Sequence, residues 1–200
     1  MANWNSTNAV ITGEEKQVMA FGKLLQELES LPESLLPNDF GKLWCGNIVH
    51  KLGADWEKVY CRGWITDYNI VSPDRINLSV ESAWGELAEV RKLVISKFPG
   101  IEIYHQSEEP GMCIFTTNDK DGRYFPEKWL LDWNDEARSL WIWEYFTELP
   151  AVIEFLKNNE ILTKDIYPSY GAITAALDEI LNQRPDDISY MFEEIKLVDD

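Results

Sequence analysis

Arg75-Ile-Asn-Leu-Ser-Val-Glu-Ser-Ala-Trp84 places Ile76, Leu78 and Val80 on one side and Asn77, Ser79 and Glu81 on the other. That period of two is the mark of a strand with one buried face. A helical pattern follows, and then Ile101-Glu-Ile-Tyr-His-Gln-Ser-Glu-Glu-Pro-Gly-Met-Cys-Ile-Phe-Thr116, which reads as strand, tight turn and returning strand. This strand–helix–strand–strand unit is the element around which the other segments are expected to pack.

Upstream of it, Arg62–Val71 is a second β-rich run, joined to Arg75–Ser82 by Ser72-Pro73-Asp74, so the two form a hairpin. Glu14–Glu29 carries Val18, Phe21, Leu24, Leu25 and Leu28 at helical spacing, after a β-rich start at Trp4–Ile11 expected to form an edge strand. Asn38 is placed to cap a second helix that runs to Leu52 and stops at Gly53. Trp84–Phe98 is expected to be helical throughout, with Leu87, Val90, Leu93, Val94 and Phe98 buried and Glu86, Glu89, Arg91 and Lys97 turned to water.

Downstream, Tyr124–Trp133 and Leu140–Phe146 read as a hairpin because β-formers are dense, although the second run also suits a helix. Thr147 is then expected to cap a helix, Ser169–Gln183 forms another, and Asp187–Lys196 is a short helix or a strand. The fold class is therefore α+β. Its expected form is a ferredoxin-like antiparallel sheet with helices on one face, extra strands and a helical C-terminal appendage. Residues 1–160 would form the main domain with an inserted helix at 38–52, and residues 161–200 an acidic helical extension packed on it.

The chain has 200 residues, enough for a sizeable core, and 45% of them are hydrophobic, which excludes a disordered acidic chain. No apolar run approaches the ~20 residues of a membrane span and no signal-like start is visible, so a cytoplasmic protein is expected. Its formal net charge of −17 argues against nucleic acid or an anionic membrane as direct partner and favours a basic protein. Cys45, Cys61 and Cys113 lack paired spacing and read as buried reduced thiols.

Chemical signatures are absent. No GxSxG, phosphate-binding glycine loop or metal-ligand spacing occurs, so no catalytic residue, metal or cofactor is assigned. Asn118-Asp-Lys-Asp-Gly-Arg123 has the acids of a calcium loop, but the twelfth position counted from Asp119 is Leu130, so it reads as a solvated turn. His50 and His105 read as structural. The one constellation that survives is Glu81, Trp84, Glu108 and Glu109, which strand ends could bring together as an acidic-aromatic patch.

Met1-Ala-Asn-Trp4 before a strand and Thr12-Gly-Glu14, Glu81-Ser-Ala-Trp84 at a strand-to-helix junction, Lys97-Phe-Pro-Gly100, and Glu108-Glu-Pro-Gly111 before a strand together resemble the YubB-like family. These are plasmid- and phage-associated bacterial proteins with a ferredoxin-like domain. The resemblance covers about Met1 to Phe125. It departs where the family's Trp-Gly-Thr-Lys-Trp-Asp-like stretch is replaced by Leu52-Gly-Ala-Asp-Trp56-Glu57, and it has no counterpart for the C-terminal helices. It implies the fold and a mobile-element setting and supplies no catalytic residues.

The leading functional expectation is a non-enzymatic acidic interaction module that binds a basic protein, as an antagonist or an immunity-like inhibitor. Two rivals remain open. One is a structural component of a phage or plasmid assembly. The other is an enzyme or small-ligand binder with a site around His105, drawing on Glu81 and Cys113. Oligomeric state is open.

Overall fold

The structure, a computed structural model, describes residues 3–163 and 167–199. Met1 and Ala2 of the terminal motif quoted above lie outside them. The chain is α+β and divides into two compact units, residues 1–125 with 197–200 and residues 126–196.

In the first unit, β1 (Trp4–Gly13) leads to α1 (Glu15–Ser30), α2 (Cys45–Lys51), the hairpin β2 (Gly63–Ser72) and β3 (Arg75–Ala83), α3 (Ala88–Lys97), and the hairpin β4 (Ile101–Glu109) and β5 (Ile114–Thr117). Together with β9 (Lys196–Leu197) these strands make a mixed six-stranded sheet in the order β2-β3-β1-β4-β5-β9. The pairs β2–β3, β3–β1, β1–β4 and β4–β5 are antiparallel.

Alternation then sorts the side chains. Thr7, Ala9 and Ile11 of β1 share a face with Val80, Leu78 and Ile76 of β3 and with Ser107, His105 and Ile103 of β4. Val18, Phe21, Leu25 and Leu28 of α1, Ile48 and Val49 of α2, and Val90 and Val94 of α3 cluster with this inner face to form the core. Each large aliphatic buried in it contributes roughly 1.5–3 kcal/mol. Pro32, just past the C-cap Leu31, bars continuation of α1.

Four sequence expectations change here. β1 is central, not an edge, because it is paired on both sides. Asn38 caps no helix; its Oδ1 accepts the Phe40 N–H at 2.7 Å in a turn, and α2 starts only at Cys45. Trp84 has φ 70°, a left-handed conformation that breaks the chain direction, so α3 begins at Ala88. Arg91 does not face water: it is buried, and its Nε donates to Glu86 Oε1 at 3.1 Å.

In the second unit, β6 (Trp129–Asp135) and β7 (Leu140–Phe146) form a hairpin, followed by α4 (Leu149–Asn158), α5 (Tyr170–Gln183) and β8 (Ile188–Glu194). β7, β6 and β8 make an antiparallel three-stranded sheet in that order. Leu131, Trp133, Ile142, Phe146 and Phe192 pack with Val152 and Leu156 of α4 and Ile173 and Leu177 of α5.

The division therefore falls at Phe125/Pro126 and not at residue 160, because β6 pairs with both β7 and the distant β8. The Asp187–Lys196 segment takes its strand alternative. The N-cap of α4 is Glu148 and not Thr147, whereas Ser169 caps α5 by accepting the Ala172 N–H at 3.3 Å.

Both units use one turn design. Glu109 accepts the N–H groups of Gly111 and Met112 at 3.1 and 2.7 Å around the 3-10 turn Pro110–Met112, and Cys113 then adopts φ 53°. Asp135 accepts the Arg138 N–H at 3.2 Å around Glu136–Arg138, and Ser139 adopts φ 49°. Both acids are buried.

Among the described residues no helix is long and apolar enough to cross a membrane.

Candidate functional site

The sheet brings Glu81 and Glu108 together. On the outer face Ser6 of β1 lies directly between Glu81 of β3 and Glu108 of β4, and the row continues to Trp64 of β2 and Phe115 of β5. Directly opposed side chains in antiparallel strands lie close enough to interact. Burial pushes the Glu81 carboxyl above its ordinary pKa, a hydrogen bond with Ser6 partly offsets this, and the Glu108 charge adds to the rise. A row of two carboxylates, one of them short of water, would gain from an incoming cation.

Trp84 stands at the same end of the sheet. Its N–H donates to Asn3 O at 2.8 Å, and its side chain is 46% exposed. A tryptophan at φ 70° is held in a conformation that L residues disfavour, even though Gly85 is the next residue. Trp4 follows Asn3 and is 41% exposed, and Met112 is also exposed, in the turn where Gly111 lies against Asn3. Exposed apolar side chains grouped in this way are characteristic of interaction surfaces.

Glu109 does not join the patch. It lies on the inner face, 2% exposed, and its carboxylate is committed to the turn.

Aromatic residues absent from the sequence-level constellation extend the site. Trp4 packs edge-on to Trp64 at 5.2 Å, Phe40 stacks on Trp64 at 5.3 Å and on Trp44 at 6.3 Å, and Trp44 meets Trp56 at 5.2 Å. The Arg62 guanidinium lies 6.0 Å from the Trp4 ring centre. Leu43 O accepts the Ile65 N–H at 3.0 Å, which fixes the Phe40–Trp44 segment beside β2. α2 starts beneath the Trp44 indole only because position 46 is glycine; a Cβ there would collide with the ring.

Tyr60 closes the arrangement, with its hydroxyl donating to Ala83 O at 2.8 Å and its N–H to Glu89 Oε2 at 2.9 Å. Between these residues lies an open groove of about 630 Å³, with Phe40, Trp56, Tyr60, Arg62, Glu57 and Glu89 in its lining. The sequence signal for it was the density of tryptophan in four separate segments. Only the strand order brings them to one end.

The residues of the rival site are dispersed. Glu81 is on the outer face, His105 is 1% exposed on the inner face, and Cys113 is exposed in the hairpin turn. His105 lines a cavity of about 80 Å³ with Thr7, the Glu86–Arg91 ion pair and mostly aliphatic side chains.

All three cysteines are free. Cys45 and Cys61 are buried, and burial is the main cause raising both thiols above the ordinary range. Cys113 departs from the expected burial because it occupies the left-handed turn position. His50 is exposed on α2.

Asp119 is not a solvated turn residue. It is buried, and although burial opposes ionisation, N–H groups from Gly122 to Phe125 hold its carboxyl below the usual range. Among the described residues no group of three or more His, Cys, Asp or Glu side chains is arranged to hold a metal ion.

No family profile, curated protein or solved structure matches the chain.

Proposed function

We propose that this chain is a non-enzymatic, acidic interaction module that captures a basic protein on the tryptophan-rich end of its larger sheet. The strained, exposed Trp84 carries the reading, since a fold that needed only stability would favour glycine at φ 70°. Trp4, Trp84 and Met112 supply apolar anchors, and the Glu81–Ser6–Glu108 row supplies the charge that a lysine or arginine would meet. A net charge of −17 speeds encounter with a cationic surface and disfavours anionic competitors.

An antagonist or immunity-like inhibitor of a basic protein is the form of this activity that such a surface suits. The β1-α1-β2-β3-α3-β4 order, with β2-β3-β1-β4 adjacency, supports a ferredoxin-like reading of the first unit. The YubB-like resemblance remains part of the proposal, and with it a mobile-element setting and a cytoplasmic location.

The test is capture from native host lysate with the intact chain at low and high salt, beside Trp84→Ala and a Glu81→Gln/Glu108→Gln pair. A basic protein held at low salt, released at high salt and lost by both variants is the expected result. Capture indifferent to salt and to both variants refutes the reading.

The His105 cavity favours a second reading, a small apolar ligand held in the first unit's core. Chemical-shift changes on Ala9, Leu78 and Ile103 methyls during a fragment screen would support it. Their absence would remove it.

A further inference from the structure

β7 is an edge strand without the usual protections. In the order β7-β6-β8 its outer side carries no partner among the described strands. Its sequence, Leu140-Trp-Ile-Trp-Glu-Tyr-Phe146, contains one charge, no proline, no glycine and no register shift against β6. Natural sheets blunt such edges with lysine, proline, bulges or short length, because a row of unpaired N–H and C=O groups is a template for another strand. Trp141 and Trp143 share the face turned away from Ile142 and Phe146 of the core, and they are 75% and 43% exposed.

We infer that β7 pairs antiparallel with β7 of a second copy, about a two-fold axis at Trp143. The strand is self-complementary in that register. Trp143 meets its own counterpart, Trp141 meets Tyr145, and Leu140 meets Phe146, so five of the seven cross-strand pairs are apolar or aromatic on both sides; Ile142 opposite Glu144, formed twice, is the one unlike pair. The flanking residues match in charge. The register carries Arg138, just before the strand, towards Glu148, just after it, once at each end. Both side chains are at the surface; within its own chain Arg138 Nη2 donates to Asn159 O at 2.8 Å and lies 3.9 Å from Glu160 Oε2, whose side chain is itself largely exposed.

A heterologous strand would gain the same backbone bonds but not this reciprocal match, which is why a second copy is the occupant. A single seam is small against the roughly 1,200 Å² of a standard stable interface, so the dimer is weak and concentration-dependent. Added salt favours it by screening two chains of net charge −17, the reverse of the salt response expected of the basic partner.

Sedimentation equilibrium of the full chain from low micromolar to near-millimolar concentration tests this. The mass is expected to move from 23.2 kDa towards twice that value. Trp143→Arg, with native circular dichroism, should weaken association about tenfold or more. Glu148→Arg should also weaken it, and the Arg138→Glu/Glu148→Arg pair should recover it, which no merely structural effect of either change would do. A single monomer mass at every concentration overturns the inference, as does a dimer indifferent to Trp143→Arg. A charge-swapped pair that fails to recover the loss overturns the register.

Discussion

Asp135→Asn is the substitution whose cost can be worked most directly from the structure. Asp135 ends β6 with 1% exposure and accepts two hydrogen bonds from Arg184, at 2.6 Å from Nη2 and 2.9 Å from Nη1. Asparagine keeps the shape but loses the charge and one acceptor. Hydrogen bonds to charged groups contribute about 1.5–3 kcal/mol each, and breaking a fully buried pair costs about 3–5 kcal/mol. Arg184 is about one-third exposed and also reaches Asp187 at 3.3 Å, so it is not stranded without water or partner. A cost of about 2–3 kcal/mol follows.

For a unit of this size that is a Tm decrease of about 10–20 °C in the transition reporting the three-stranded sheet. Amide exchange should show β6 and β8 losing protection. The effect must also titrate. Arg184 holds the Asp135 carboxyl below its ordinary pKa, with the Arg138 N–H and charge assisting against burial. Its stabilisation is therefore complete above the unfolded value near ~3.9 and is lost as pH falls through the lower folded value. The gap between wild type and variant should be full at neutral pH and close progressively in acid. A decrease of only a few degrees, or a gap that is the same in acid as at neutrality, would refute this account.

Three further outcomes are expected. Trp84→Gly relieves the left-handed strain at the cost of chain entropy, so urea unfolding should show stability unchanged or raised by up to about 1 kcal/mol, while partner capture is lost. Glu109→Ala removes the acceptor for two turn N–H groups and should cost about 1–3 kcal/mol in the same assay, leaving capture by the folded protein intact. Glu81→Gln should raise Tm at neutral pH, because it removes a carboxylate whose pKa is raised by burial and by Glu108. The sign is that of a group destabilised when charged, so the gain should fade as pH drops into the carboxylate range.

Elements with strong local periodicity were legible from sequence. α1, with Val18 to Leu28 at helical spacing, and β3, with its strict alternation, came out within one or two residues. What failed depended on partners far away in the chain. Nothing local at Trp129–Asp135 announces that it pairs with Ile188–Glu194, so the unit boundary was misplaced. Arg91 looked solvent-facing because its partner Glu86 sits in the irregular segment before α3, which the helical pattern concealed.

The site was half legible. Glu81 and Glu108 share one cross-strand row through Ser6, and Trp84 follows β3 at that end of the sheet. Glu109 was misassigned because neighbouring residues on a strand point to opposite faces. Trp4, Phe40, Trp56, Tyr60 and Trp64 were missed because no spacing rule connects them.

The place of β9 has a consequence for biosynthesis. Val198 donates its N–H to Thr117 O at 2.9 Å, about 80 residues downstream. During translation the outer edge of β5 therefore stays bare while the whole second unit is synthesised, and is covered only once residues 196–198 leave the ribosome. For that interval β5 is an outer strand alongside β2, β7 and β8, and of these four β5 alone is later covered by another described strand of the chain. Misassembly on the ribosome should accordingly track the length of the pause before Lys196, and a slow codon placed there should increase it.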